Sequence, residues 1–182
     1  NGGVRKRKLS RVFNGDLLDL TPGQANLLNK ATTNVLWVEQ DQLVKKQTIV
    51  QPSPSWGLDR IDQRTLPVNN MYSYTTTGIG VDAYVVDSGI MPTHTQFKGR
   101  LRMGYDAFGG TGADCEGHGT HVAGTIAGSS YGVAKSSQLV AVRVLDCSGS
   151  GYTSSVIAGI NWVIQSHPGG TGIINMSLGG SA

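Results

Sequence analysis

Two short stretches constrain this chain more than any others: Val81–Val86 (VDAYVV) and Leu139–Leu145 (LVAVRVL), nearly unbroken apolar runs rich in valine. A strand wetted on one face alternates apolar with polar residues. A strand covered on both faces does not, and such double cover is characteristic of parallel sheets. Helical patterns separate and follow these runs. Gly119–Gly128 (GTHVAGTIAG) reads as a helix of small residues. Thr153–Gln165 carries Val156, Ile157, Ile160, Val163 and Ile164 on one side, and His167-Pro168-Gly169 stops it. Gly172–Leu178 (GIINMSL) reads as a further strand. Strands alternating with helices predict an α/β domain with a parallel sheet and right-handed crossovers.

The front of the chain has a different texture. Lys8–Phe13 alternates like a strand, Asn14-Gly15 is a turn, and Thr21-Pro22 opens a helix whose apolar face is Ala25, Leu27, Leu28 and Ala31. Val35–Val44 reads as a second strand. Residues 1–46 therefore form a small α+β unit, too short for a large core of its own and expected to lean on a partner surface. Gln47–Ser55 (QTIVQPSPS), with two prolines, reads as an extended, exposed connector, the kind of segment where proteolytic nicking concentrates. Residues 56–182 make the second domain.

Composition narrows the class further. Apolar residues are 38% and charged residues 15% of the chain, which suits a globular protein rather than a disordered one. No apolar stretch approaches the roughly 18 residues of a membrane helix. The net charge is +3 and, outside Arg5-Lys6-Arg7-Lys8, the basic residues are scattered, so neither nucleic acid nor a membrane is an expected partner. The basic run reads as a solvated strand or tail edge. The chain begins with Asn1 in the middle of a patterned segment, so the lack of a visible leader carries no inference.

Functional groups of parallel sheets gather at the carboxyl ends of strands. Asp87 sits there, before Gly89, although an aspartate in that place can also simply cap a turn. His118 stands between glycines at the start of a helix, in Glu116-Gly-His-Gly-Thr-His-Val-Ala-Gly124, which leaves its imidazole edge uncovered. His121 follows on the same helix and is expected to be packed. A buried carboxylate that holds one imidazole nitrogen leaves the other free to take a proton, and Asp87 with His118 meets that need. A nucleophilic serine would have to come later. Two other readings fail. Cys115, His118, His121 and Cys147 have a spacing unusual for structural zinc, and Gly78-x-Gly80-x-x-Ala83 precedes its strand, whereas a dinucleotide fingerprint must follow one.

Val85-Val-Asp-Ser-Gly89, Gly117-His-Gly-Thr-His-Val-Ala-Gly124 and Asn175-Met-Ser-Leu-Gly-Gly180 resemble the aspartate, histidine and substrate-strand motifs of subtilisin-like serine proteases. The resemblance is strongest to the proteinase K and aqualysin group, where Trp56-Gly-Leu-Asp-Arg-Ile-Asp-Gln63 is similar to the start of the mature enzyme. It runs in order from about residue 56 to the end of the chain.

The resemblance implies an incomplete subtilisin-like domain preceded by the C-terminal part of an inhibitor propeptide, with cleavage near Gln47–Ile49. Asp87 would orient and His118 would act as the general base. Gly149, Ser150 and Gly151, with Ser177, Leu178 and Gly179, would be the two main-chain edges that hold an extended peptide, and Tyr152 would line a pocket. Cys115 and Cys147 match a disulfide of the group, suited to an oxidising, extracellular setting. Asp59, Asp62, Gln63 and Asn69 match a structural calcium site. The partners implied are protein or peptide substrates and the chain's own propeptide, and the implied state is a secreted monomer. The Gly-Thr-Ser-Met-Ala-like nucleophile motif and the oxyanion asparagine are not within residues 1–182, and Ser88 and Ser177 belong to other motifs. The chain by itself is therefore expected to be proteolytically silent. The competing expectation is an inactive protease-like protein that binds or inhibits.

Overall fold

The computed structural model describes residues 3–9, 14–31, 34–41 and 48–180. The chain forms two compact units, Asn1–Lys45 and Lys46–Ala182.

In the first unit, β1 (Val4–Leu9) pairs antiparallel with β2 (Gly15–Asp19), and α1 (Pro22–Asn29) follows. Thr21 caps α1 as its sequence predicts. Its hydroxyl accepts the Gln24 N–H at 3.3 Å while the Gln24 side chain accepts the Thr21 N–H at 2.8 Å, a reciprocal capping box. The basic run lies in β1, where Arg5 pairs with Asp16 and Lys6 with Asp19 across the ladder. The partner strand expected over Val35–Val44 is not found over residues 34–41, and residues 42–44 fall outside those described. Gly15–Asp19 takes that place, and Gly15, read as part of a turn, is the first residue of β2 and pairs with Leu9. The strand expected over Lys8–Phe13 runs over Val4–Leu9, and residues 10–13 are also outside the described set.

In the second unit, β3 (Ile49–Pro52) pairs antiparallel with β4 (Met71–Tyr74), with α2 (Trp56–Ile61) between them. Residues read as a plain connector are thus an edge strand, a position where Pro52 removes no needed donor. The main sheet contains β5 (Val81–Asp87), β6 (Leu101–Asp106), β7 (Gln138–Arg143) and β8 (Thr171–Asn175) in the order β6-β7-β5-β8, with every pairing parallel. Alternate residues of β5 and β7 serve opposite faces. Ala83, Val85, Leu139 and Ala141 pack with Ala123 and Ala127 of α3 (His118–Ala127). Tyr84, Val86, Val140 and Val142 pack with Val163 of α4 (Thr153–Ser166). These positions are at most 4% exposed, and each buried valine contributes roughly 1.5–3 kcal/mol. Only part of the α4 stripe is used, for Val163 is buried while Ile157 and Ile164 are exposed.

Candidate active site

Asp87 is the last residue of β5, and burial of the strand on both faces carries its carboxylate to the sheet's rim with no solvent exposure. His118 opens α3. Its Nδ1 lies 2.8 Å from Asp87 Oδ1 and 3.0 Å from Oδ2, while half of the imidazole stays exposed. A carboxylate can only accept, so Nδ1 carries the proton and Nε2 is left as the acceptor.

The two residues are far apart in sequence, and a loop locks them together. Asp114 Oδ1 accepts the Ser88 hydroxyl at 3.0 Å and the Glu116 and Gly117 N–H groups at 3.0 and 2.9 Å. Its Oδ2 accepts the Thr120 N–H at 3.0 Å and the Thr120 hydroxyl. Burial would raise the Asp114 pKa, but these hydrogen bonds, the Thr120 hydroxyl first, outweigh it and hold the carboxyl below its ordinary value. The Ser88 hydroxyl in turn accepts the Gly119 N–H at 2.9 Å, which fastens the residue after Asp87 to the residue after His118. Gly117 enters the helix at φ 115°, a left-handed conformation that favours glycine. His121, expected to be packed, is exposed on α3; the small residues of the helix, not its second histidine, meet the sheet.

Gly119 marks the closest approach of helix to strand. A Cβ there would strike the Gly89 carbonyl and come within 3.2 Å of Asp87 Cβ. Gly119→Ala is therefore expected to cost about 1–3 kcal/mol through overpacking and to push the start of α3 off Asp87. Thermal unfolding together with the His118 titration checks this, and an unchanged titration would contradict it.

The hydrogen bond to Asp87 comes first and the charge of the same carboxylate second in raising the His118 pKa above its ordinary 6.5. The folded value is the raised one. The stabilisation it brings is complete below pH 6.5 and disappears as pH rises through the folded pKa. NMR titration should place His118 above 6.5, and Asp87→Asn should bring it down. A value unmoved by that substitution would contradict the pairing.

Beside His118 lies an open groove of about 670 Å³. Gly149–Gly151 and Ser177–Gly179, the two expected main-chain edges, both line it, and Leu145 and Val156 add apolar surface. Asp146 Oδ1 accepts the Ser148 hydroxyl and the Ser148 and Ser150 N–H groups, and the Ser150 carbonyl accepts the Asp146 N–H, so the first edge is pre-formed. The main-chain groups of Gly151 and of Ser177–Gly179 have no partner among the described residues. Tyr152 also lines the groove and is 80% exposed.

Cys115 and Cys147 form a disulfide that ties the loop before His118 to the loop before Gly149, so their sulfurs cannot serve zinc. Arg143, unremarkable in the sequence, supports this joint. One guanidinium nitrogen lies 3.2 Å and 3.5 Å from the two sulfurs, another lies 3.3 Å from Asp106 Oδ2, and the group stacks 5.1 Å from the centre of the Phe108 ring.

The expected calcium ligands sit around α2 and the turn before β4. The Asp59 oxygens accept the Asn69 and Asn70 N–H groups, at 3.2 and 2.8 Å. Asn69 Oδ1 accepts the Met71 N–H, and Gln63 donates its amide to the carbonyls of Thr65 and Pro67. Asp62 Oδ2 accepts the Ser73 N–H, while Asp62 Oδ1 is buried with no partner among the described residues. That orphaned oxygen is the feature that fits a hard cation.

A sequence profile described as the Subtilase family matches residues 78–182, more than half of the chain. The chain belongs to the subtilase family. An extracellular serine proteinase of Thermus sp. (strain Rt41A) is 50% identical over 99% of this subtilase chain and 45% of its own length. Alkaline serine exoprotease A of Vibrio alginolyticus is 49% identical over 98% of the chain and 35% of its own. Among solved structures, a cold adapted subtilisin-like serine proteinase is 53% identical with a TM-score of 0.67, over 71% of this chain and 48% of its own. The subtilase chain thus spans less than half the length of these relatives, and its parallel α/β sheet is that of the family.

Proposed function

We propose that this chain supplies the acid and the base of a secreted serine endopeptidase that hydrolyses peptide bonds by acyl transfer. The observation that carries this reading is the Asp87–His118 pair standing at a groove lined by two main-chain edges, whose groups at Gly151 and Ser177–Gly179 have no partner among the described residues. An extended peptide fits such edges as an added strand. His118 Nε2 takes the proton from a serine hydroxyl as its oxygen attacks the scissile carbonyl, then returns the proton to the leaving amine. Asp87 holds the imidazole in the required tautomer and stabilises its cationic form. Ser88 is fully buried and bonded to Asp114 and Gly119, so it is not that hydroxyl. The serine and an oxyanion-stabilising asparagine are assigned to a segment beyond Ala182.

Residues 1–46 are proposed to be part of an inhibitor propeptide, released by cleavage within 47–55. The alignments with the Thermus and Vibrio proteins, which run over nearly the whole of this chain, support the idea that the two units belong together. Calcium is proposed as a structural ion held by Asp62 and Asp59 with Gln63 and Asn69. Its chemistry would be to neutralise and tie together the segments that carry these oxygens. Secretion is supported by the disulfide and by the relative named extracellular.

The test is peptide-amide hydrolysis by the longest natural chain that carries this sequence, with a serine-reactive inhibitor as control. Inhibitor-sensitive turnover supports the reading. Its absence, with peptide binding retained, would replace it with a binding or inhibitory role. The 182-residue chain alone is expected to give no turnover.

A further inference from the structure

Among the described residues that line the groove, Glu116 is the only one with a carboxylate, and none carries an ammonium or guanidinium group. Its position is fixed rather than incidental. Glu116 Oε2 accepts the His118 N–H at 2.7 Å, which anchors the carboxylate beside the base. A Cβ placed on Gly149 would lie 3.8 Å from Glu116 Cδ, so the same carboxylate abuts the first substrate edge. Glu116 is exposed, and among the described residues it has no ion-pair partner. Arg143, the cation on the nearby disulfide, is committed to Asp106 and the sulfurs.

We propose that Glu116 is a specificity-determining residue that favours a lysine or arginine side chain in the substrate residue seated against His118. The inference rests on the proteolytic reading given above. A peptide held along Gly149–Gly151 brings one side chain past the imidazole, and there it meets an anchored negative charge with no lysine or arginine among the described groove residues to neutralise it. A basic side chain supplies the missing partner, whereas an acidic one meets repulsion.

The experiment uses the longest natural chain carrying this sequence. Its substrates are peptides identical except for lysine, norleucine or glutamate at each of the four residues on the acyl side of the scissile bond. At one of these positions lysine should exceed norleucine in kcat/KM by about fivefold, the scale of a solvent-exposed ion pair, and the ratio should shrink in high salt. Glu116→Gln keeps an oxygen for the His118 N–H and should bring the ratio to about one. Glu116→Lys should favour glutamate instead. Because each ratio is taken within one enzyme, a general loss of turnover cancels out. A native ratio near one at all four positions, or a ratio that survives in Glu116→Gln, overturns the proposal. Failure to cleave any of the peptides overturns the proteolytic reading itself.

Discussion

Replacing His118 with alanine in an active chain that carries this sequence should lower kcat by about 10⁶-fold, the loss found in subtilisin, itself a member of this family, when the triad histidine is removed. KM should change little, because the proposed substrate edges of the groove do not depend on the imidazole. Asp87→Asn should cost about 10⁴-fold, since an amide that donates to Nδ1 selects the wrong tautomer. The two effects should not add, because acid and base act on the same proton transfer. If the front unit is removed by self-cleavage, as proposed, that removal should stop as well. Single-turnover kinetics and the mass of the expressed protein read both outcomes, and normal maturation of the His118→Ala chain would show that the proposed base had been misassigned.

Removing the disulfide should have the largest effect on stability. Cys115 and Cys147 are separated by 32 positions, and closing a loop of that size contributes about 3–4 kcal/mol in the chain-entropy model. Replacing both cysteines with alanine should therefore lower the melting temperature by roughly 10 °C. It should also raise KM, because the bridge joins the loop before the base to the loop before the Gly149 edge. Arg143 would lose both sulfur contacts and keep Asp106. A variant that melted normally would mean that Arg143 and the Asp114 loop hold this region without the bridge.

What the sequence revealed and what it hid divide along physical lines. β5 and β7 were legible because burial on both faces leaves an unbroken apolar run. β6 (LRMGYD) was not, because its position at the rim of the sheet lets Arg102 reach Asp82 at the surface. β3 was masked by prolines that an edge strand tolerates. The pairing of Asp87 with His118 could be read from motifs, and the structure brings the two within hydrogen-bond distance. Asp114, Ser88 and Glu116 could not be read in their roles, since each acts through main-chain N–H groups that converge only once the 112–120 loop has closed. The apolar helix faces were overstated for α4 and His121, because amphipathic spacing indicates which residues can be buried and not how much partner surface lies over them.

β5 is flanked by hydrogen-bonded neighbours on both sides and lies under side chains on both faces, whereas His118 occupies the first position of a helix and leaves half its ring in water. The two halves of the site therefore differ in stiffness. Amide exchange should be slowest in Tyr84–Val86 and markedly faster at the first turn of α3. Warming would first blur the aim of the imidazole while the carboxylate stayed in register, so such a site would lose its function by drift of one partner well before the sheet beneath it melted.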